Sequence, residues 1–331
     1  MFQNLTVIIP AYNAAKYIKE CIECFLDYPE MKVLIVDDGS TDDTVERAKQ
    51  YEKCMRLKVL EGNHGGVSNA RNIGLVNTET EYVMFMDADD LINLSKLPDE
   101  VFEMMEKKID LIDLSALHGR ENIVAQLSEE QKKDIILGLS GFKGQKNSVK
   151  LGDSGPIAKL YNMKIINKKN IRFNTDIYKG EDALFVMRFV TYASSLARVP
   201  VSIYRYRQHE NSVTKKFPYS ILNNHQNYVT EVLNIAELNT LPVVYRRELQ
   251  LRSTINDALD CIRQQRNEDY YKISQSLNTY TIKQLRSLPK RLLLVAVVMK
   301  FNQLWLYRSI RNIRVNLKKI RKSQPVDFID I

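Results

Sequence analysis

Four short apolar runs in the first 90 residues constrain the fold of this 331-residue chain more than any other feature. They lie at residues 5–9, 33–36, 57–60 and 82–86, and each ends in a polar turn. Apart from Thr6 and Lys58, the runs are apolar rather than alternating, so both faces of the strands are predicted to be covered. The pattern therefore predicts an α/β fold with a mainly parallel, doubly wound sheet.

Helical patterns separate the four runs and dominate the last third of the chain. We predict helices at residues 14–26, 42–53 and 67–76, and two further strands near residues 196–199 and 202–207. Beyond Pro218 the pattern is helical, with segments at residues 221–238, 243–265 and 269–280. A C-terminal helical extension is therefore predicted after the sheet domain.

Acidic residues follow two of the apolar runs. Asp87, Asp89 and Asp90 follow the fourth run, and Asp37 and Asp38 follow the second. The carboxyl ends of parallel strands meet at one edge of a sheet, where such folds bind ligands. Aspartates at positions i and i+2 can converge on Mg²⁺ or Mn²⁺, which can bind a diphosphate and neutralise it as it leaves.

Turn formation explains only part of the second acidic segment, "IVDDGSTDDT". Ser40 and Asp43 match a capping box for the following helix, and Asp38-Gly39 suits a tight turn. These features do not account for two consecutive carboxylates at the end of an apolar strand. Asp37 or Asp38 could instead accept a hydrogen bond from a nucleobase imide or a ribose hydroxyl.

Glu181 and Asp182 open another predicted helix, in "YKGEDALFVMRF". Acidic residues at this position complement the helix dipole, which is a sufficient structural explanation. A carboxylate at the mouth of a cleft could also act as a general base toward an attacking hydroxyl. Both interpretations stay open on the residues alone.

The net charge of +8 is confined to the C-terminal segment. Residues 285–331 carry eleven Lys or Arg and two Asp, whereas the preceding 284 residues carry 37 basic and 38 acidic side chains. The apolar run 292–299 is too short to span a bilayer. We predict that residues 287–322 form an interfacial helix on anionic membrane. A helix packed on the protein or in a homodimer is the alternative, and the scarcity of interleaved aromatics disfavours nucleic acid.

Five segments in order resemble the inverting, nucleotide-sugar-dependent glycosyltransferases of family 2. The segments are "VIIPAYNAAKYI", "LIVDDGSTDDT", "GGVSNARNIGL", "YVMFMDADD" and "GEDALF", within residues 1–215. The resemblance implies the GT-A fold and a role in assembling bacterial surface polysaccharide. It also implies that residues 1–115 bind the nucleotide sugar and 116–217 bind the acceptor. Residues 218–331 are predicted to form the helical extension from their helical pattern.

The resemblance also implies roles for individual residues. The donor implied by the resemblance is a UDP-sugar. The positions expected to contact it are Pro10, Ala11, Tyr12, Asp37, Asp38, Arg71, Asp87, Ala88 and Arg207. The expected ligands of Mn²⁺ or Mg²⁺ are Asp87, Asp89 and His209. Asp182 would deprotonate the acceptor hydroxyl, with Glu181 beside it.

The implied reaction adds a single sugar to a saccharide or lipid-linked acceptor. The Gln-x-x-Arg-Trp pattern of processive synthases is absent, and Trp305 in the tail is the sole tryptophan. The N-terminus has no basic region followed by a long apolar core, so no signal peptide is predicted. We therefore expect a cytoplasmic protein, peripheral at the inner face of the cell membrane.

Three other functional classes are alternatives to this interpretation. A sugar nucleotidyltransferase would carry a glycine-rich loop after the first strand, whereas "IPAYNAAKYI" has no glycine. "EGNHGG" is likewise not the GxGxxG of a dehydrogenase. A membrane-associated scaffold with a degenerate transferase core is the non-enzymatic alternative, and retention of Asp38, Asp89 and Asp182 argues against it.

Overall fold

The computed structural model describes residues 2–115, 122–142, 151–152, 154–208, 220–286, 288, 290–300 and 328–330. These residues divide into two compact units, with the division between residues 209 and 210. The short segment 328–330 belongs to the first unit.

The first unit is built on an eight-stranded sheet. Its strands are β1 (Leu5–Ala11), β2 (Lys32–Asp37), β3 (Leu57–Glu61), β4 (Tyr82–Phe85), β6 (Leu111–Asp113), β7 (Ile123–Gln126), β8 (Lys159–Asn162) and β9 (Ser195–Arg198). They lie in the order β3-β2-β1-β4-β8-β6-β9-β7. The four strands from β3 to β4 are parallel, as are β6 and β9, whereas β8 and β7 run antiparallel to their neighbours. The predicted mainly parallel sheet is confirmed.

A smaller antiparallel sheet lies in the same unit. It contains β5 (Leu91–Ile92), β10 (Tyr204–Arg207) and β11 (Phe328–Asp330), with β10 in the middle. Tyr204 is paired with Ile92. Because β5 directly follows the acidic segment after β4, this pairing fixes that segment in place.

Seven helices accompany these strands. They are α1 (Ile18–Glu23), α2 (Thr44–Lys49), α3 (Val67–Val76), α4 (Asp99–Glu106), α5 (Glu129–Leu139), α6 (Met163–Lys168) and α7 (Glu181–Tyr192). The bounds of α3 are those predicted, but α1 and α2 are shorter than predicted. The amide of Ala14 donates to the hydroxyl of Thr44 at 2.8 Å, and the carbonyl of Ala14 accepts from the amides of Tyr17 and Ile18 in the turn that leads into α1.

The predicted capping box of α2 is wrong. The N-cap residue Asp43 makes no capping hydrogen bond through its side chain. The hydroxyl of Ser40 donates instead to the carboxylate of Asp37. Ser40 therefore stabilises the loop after β2 rather than the helix.

Both faces of the central strands are buried. All seven residues of β1 are buried, as the continuous apolar run predicts. Gly74 of α3 lies so close to β1 that a Cβ atom there would come within 2.4 Å of Cγ2 of Ile8. A glycine is needed at that crossing because any side chain would push the helix off the sheet.

The second unit is helical, as predicted for the C-terminal extension. It contains α8 (Ile221–Leu238), α9 (Val243–Arg263), α10 (Asn267–Gln275), α11 (Ile282–Leu285) and α12 (Lys290–Lys300). Ala296 and Met299 of α12 pack into the core of this unit with Leu251 and Ile255. Residues 290–300 thus pack on the protein itself. The rest of the predicted interfacial segment 287–322 lies outside the described residues, apart from Leu288.

Among the residues that the structure describes, no helix is both long enough and apolar enough to cross a membrane.

Candidate active site

The register of the parallel strands brings the acidic segments to one edge of the sheet. Ala11 at the end of β1 lies opposite Asp37 at the end of β2. Ile8 lies opposite Phe85, the last residue of β4. The segments after β1, β2 and β4 therefore begin side by side, as the sequence predicts.

Asp37 and Asp38 both hold backbone amides in place. Asp37 accepts hydrogen bonds from the amides of Gly39 at 3.1 Å and Ser40 at 2.9 Å. The two carboxylate oxygens of Asp38 accept from the amides of Gly65 and Gly66, each at 2.7 Å. Asp38 thus ties the end of β2 to the turn that starts α3, and a bond from either residue to a base stays a prediction.

An exposed aromatic pair lies beside this turn. Tyr12 is 50% exposed, and its ring centroid is 4.8 Å from that of His64. His64 Nδ1 lies 3.0 Å from the carbonyl oxygen of Asp38, and the residue adopts a φ of +57°. Pro10 and Ala11 are buried beneath the pair. Such a pair can stack on a flat heterocycle, and sequence reasoning missed His64.

Arg71 joins the two other acidic segments. Its guanidinium donates to Asp182 at 2.6 Å and to Asp87 at 3.1 Å, and it lies over the ring of Phe173 at 5.2 Å. The Arg71 side chain is only 4% exposed. Burial alone would lower the pKa of Arg71, but the carboxylates of Asp182 and Asp87 outweigh that effect and raise it. Arg71 therefore stays positively charged.

The two carboxylates that bind Arg71 both reach solvent. The side chain of Asp87 is 34% exposed and that of Asp182 is 39% exposed. Burial and the charges of Asp182 and Asp89 raise the pKa of Asp87, although Arg71 opposes them. Only one oxygen of Asp182 is bonded to Arg71, and no described residue donates to the other. Asp182 can thus accept a further proton or hydrogen bond.

Glu181 precedes Asp182 at the start of α7, directly after Gly180, whose φ is +94°. Glu181 is only 9% exposed. Burial, followed by the charge of Asp182, raises the pKa of Glu181 to about 7. Glu181 is therefore protonated or charged according to pH near neutrality.

Asp90 anchors the acidic segment to the small sheet. It is fully buried and accepts a hydrogen bond from the hydroxyl of Tyr204 at 2.6 Å and from the amide of Arg207 at 2.8 Å. The same hydroxyl accepts from the amide of Asp87 at 3.1 Å. Burial and the charge of Asp87 raise the pKa of Asp90 to about 8. Tyr204 fixes both ends of this segment, a role the strand-like sequence around it did not indicate.

Arg207 is bonded within the same region. Its Nε donates to the carbonyl of Asp89 at 2.8 Å, and its Nη2 donates to Glu20 at 2.7 Å. The guanidinium also lies over the ring of Tyr17 at 5.0 Å. Arg207 therefore lies next to the acidic segment, while its predicted contact with a phosphate stays a prediction.

The predicted metal site is partly described. Asp87 and Asp89 lie in one loop, with the small, buried Ala88 between them, and both are partly accessible. Their carboxylates are hard oxygen ligands of the type that Mg²⁺ and Mn²⁺ prefer, and Mg²⁺ is often held by one or two carboxylates plus substrate phosphates. His209 lies outside the described residues. Among the residues that are described, no group of three or more His, Cys, Asp or Glu side chains could hold a metal ion.

A second buried charge pair lies at the same edge of the sheet. Lys159 at the start of β8 is paired in register with Asp113 at the end of β6, and both side chains are fully buried, 3.7 Å apart. Asp113 also accepts from the amide of Gly152 at 2.6 Å, and Lys159 donates to the carbonyl of Gly155 at 2.9 Å. Sequence reasoning missed this pair because 46 residues separate its members.

Known proteins resemble this chain most in its first unit. Residues 6–164 match the family model described as glycosyl transferase family 2. The poly(ribitol-phosphate) beta-N-acetylglucosaminyltransferase TarS of Staphylococcus aureus is 32% identical over 61% of this chain. TarP, of the same description and organism, is 30% identical over 57% of it. The chain spans only 35% of TarS and 58% of TarP.

The fold also matches a solved structure. S. aureus TarS 1–349 in complex with UDP-GlcNAc superposes with a TM-score of 0.66 at 20% sequence identity, covering 94% of this chain and 91% of that one. This likeness extends over both units in sequence and establishes the GT-A fold with its helical C-terminal region.

Proposed function

The first unit of this chain belongs to glycosyl transferase family 2, and from that premise we propose that the protein transfers one sugar from a nucleotide sugar to an acceptor hydroxyl. The transfer inverts the configuration of the sugar in a single displacement. The product is a component of a bacterial surface polysaccharide or glycoconjugate.

The link through Arg71 carries the proposal. It fixes Asp182 relative to Asp87, so the two carboxylates keep a constant separation at the mouth of the strand-end cleft. In this assignment Asp87 lies on the donor side and Asp182 on the acceptor side. Catalytic groups must be held in such fixed geometry, because a misplacement of about 1 Å can cost a hundredfold in rate.

Asp182 acts as the general base. Its oxygen that is not bonded to Arg71 accepts the proton of the acceptor hydroxyl as that oxygen attacks the anomeric carbon. The bond from the anomeric carbon to the diphosphate breaks on the opposite face, and its electron pair leaves with the nucleoside diphosphate. Glu181, partly screened from water, interacts with a hydroxyl of one of the two sugars.

The donor lies along the ends of β1, β2 and β4. Tyr12 and His64 stack on the base, Asp38 or Asp37 bonds its polar edge, and Arg207 lies near the diphosphate. Asp87 and Asp89 hold Mn²⁺ or Mg²⁺, which when bound neutralises charge on the diphosphate. TarS and TarP are named as N-acetylglucosaminyltransferases, which favours a UDP-linked N-acetylhexosamine as the donor.

The acceptor is a polymer that carries polyol phosphate. The same two relatives are named for poly(ribitol-phosphate), and the hydroxyls of such a chain are suitable nucleophiles. Attachment of a single sugar to each acceptor site requires no channel through a membrane.

Donor turnover tests the proposal. UDP, GDP and TDP sugars are titrated with and without Mn²⁺, and the released nucleotide is followed. We expect metal-dependent turnover of one UDP-sugar, lost in Asp89→Asn while the far-UV circular dichroism is unchanged. Failure of every donor to bind to the folded protein would contradict the enzymatic function and favour the scaffold.

A further inference from the structure

A groove in the second unit has the character of an anion site. It lies between α8 and α9, is also lined by Tyr280 and has a volume of about 420 Å³. That volume is within the range of small-molecule sites, roughly 300–1,000 Å³. Arg246 and Arg247 of α9 both line it.

The two groove arginines differ from other arginines of the same helix. Arg252 is bonded to Glu248 at 2.7 Å and Arg263 to Asp260 at 2.6 Å. Neither Arg246 nor Arg247 has an ion pair or a side-chain hydrogen bond with the described residues, and the Nε of Arg246 is fully buried. A buried donor without an acceptor costs about 1–3 kcal/mol. The lack of a protein acceptor among the described residues leaves the charge of both guanidinium groups uncompensated, which favours an anion beside them.

Neutral donors complete the lining. The hydroxyl of Tyr280 donates to Oε1 of Gln250 at 2.9 Å, which leaves the amide nitrogen of Gln250 to donate elsewhere. Asn234 adds another amide, and Glu237 is the one acidic side chain among the lining residues. The two guanidinium groups therefore outweigh the acidic charge, and the groove presents mainly hydrogen-bond donors.

Apolar contacts limit what the groove can hold. Leu233 and Val243 line it beside the arginines, and Val243 is 58% exposed. Carbon atoms can pack there while an oxyanion meets the guanidinium groups, whose planar forks match phosphate oxygens. A phosphate ester of a polyol has both parts, whereas inorganic phosphate has only the second.

We propose that this groove binds a phosphodiester of the polyol-phosphate acceptor chain. Arg246 and Arg247 contact the phosphate oxygens, the amide of Gln250 donates to the same group, and Leu233 and Val243 contact the polyol carbons. The identity of the anion rests on the proposed function, whereas the existence of an anion site rests on the groove alone. The second unit thereby contributes to acceptor affinity without touching the reacting atoms.

The test measures binding of short poly(ribitol phosphate) to the full chain by titration calorimetry. Arg246→Gln and Arg247→Gln are each compared with Arg263→Gln, which removes the same charge from the same helix outside the groove. We expect each groove variant to weaken binding about tenfold, as for loss of one charged hydrogen bond, and Arg263→Gln to change it less than twofold. Tyr280→Phe, which releases Gln250, should weaken binding by a smaller factor.

Three further outcomes separate the explanations. Equal binding of the polymer by the groove variants and Arg263→Gln would overturn the inference. The inference would also be overturned if the groove variants lost binding to phosphatidylglycerol vesicles but bound the polymer as well as the wild type does. Hydrolysis of the donor should be unchanged in both groove variants. If the donor is turned over normally while the groove variants bind like wild type, the groove inference fails and the proposed function stands. If no donor is turned over, the proposed function fails independently.

Discussion

Two clusters at the same edge of the sheet each set a buried cation against aspartate, and they differ in their access to solvent. Asp113 and Lys159 are fully buried. Asp113 also accepts from the amide and hydroxyl of Ser115 and from the amide of Gly152, and Lys159 donates to the carbonyl of Gly155. Asp87 and Asp182 are about one third exposed, although their shared partner Arg71 is buried. A substrate cannot reach the carboxylate of the buried Asp113–Lys159 pair, which forms the closed cluster. It can reach the partly exposed carboxylates that are bonded to Arg71 in the open cluster. The comparison assigns stability to the first cluster and chemistry to the second.

The largest effect is expected for Asp182→Asn, which removes the proposed general base from the open cluster. The amide keeps the hydrogen bond to Arg71 but cannot take a proton at neutral pH. Turnover should fall about 10²- to 10⁴-fold. Donor affinity and the urea midpoint should stay close to wild type, as measured by titration and circular dichroism. A variant that retains a tenth of the activity would remove Asp182 from the role of base.

The second effect concerns the closed cluster. Asp113→Asn leaves Lys159 buried without its counter-charge, and breaking a buried pair in this way costs about 3–5 kcal/mol. Urea unfolding of the first unit should therefore shift to a lower midpoint. Turnover per folded molecule should be little changed. Unaltered stability would mean that water reaches this pair in solution.

The third effect is a pH dependence of stability. The pKa of Glu181 is about 7 in the folded protein and near 4.5 in the unfolded chain, so the folded state binds the extra proton between these values. Stability should therefore fall as pH rises from about 4.5 to 7, by about 1–3 kcal/mol. Glu181→Gln should remove the part of this slope that Glu181 contributes and leave the part due to Asp90, whose pKa of about 8 acts in the same direction. Glu46→Gln on an exposed helix should keep the whole slope. A parallel slope in all three proteins would contradict the assignment.

The smallest effect is expected for Tyr204→Phe. The variant loses the hydrogen bonds that hold Asp90 and the amide of Asp87, at a cost of about 1–3 kcal/mol. Because the acidic segment loosens, the donor KM should rise while the rate at saturation changes less. Steady-state kinetics measure the donor KM and the rate at saturation. If the saturating rate fell by as large a factor as the donor affinity, Tyr204 would take part in the chemistry.

Local patterns were sufficient to predict the parallel half of the sheet from β1 to β4, together with β9 and β10, but not β6, β7 or β8. The strand β1 and the bounds of α3 and α8 follow from the hydrophobic pattern. A strand that is buried on both faces gives an apolar run, and a helix that is buried along one stripe gives apolar residues at helical spacing. The shortened α1 and the absent capping box do not follow. There, the hydroxyl of Thr44 accepts from the amide of Ala14 and the carboxylate of Asp37 accepts from the hydroxyl of Ser40. The helical periodicity does not report either contact.

The candidate site could be predicted only as separate segments. Glycosyltransferase motifs pointed to Asp87 and Asp182, but their common partner Arg71 lies 16 residues from one and 111 from the other. The pairing of Asp113 with Lys159 likewise depends on β6 and β8 meeting in the sheet. No spacing rule reports such contacts, because tertiary register alone creates them.

A matched removal of the two buried cations tests the account most directly. Donor turnover per folded molecule and the urea midpoint are measured for Arg71→Met and Lys159→Met. We predict that Lys159→Met loses stability but keeps turnover within about twofold, whereas Arg71→Met loses at least about a hundredfold in turnover even when fully folded. Equal loss of turnover in the two folded variants would contradict the division between a closed, stabilising cluster and an open, reactive one.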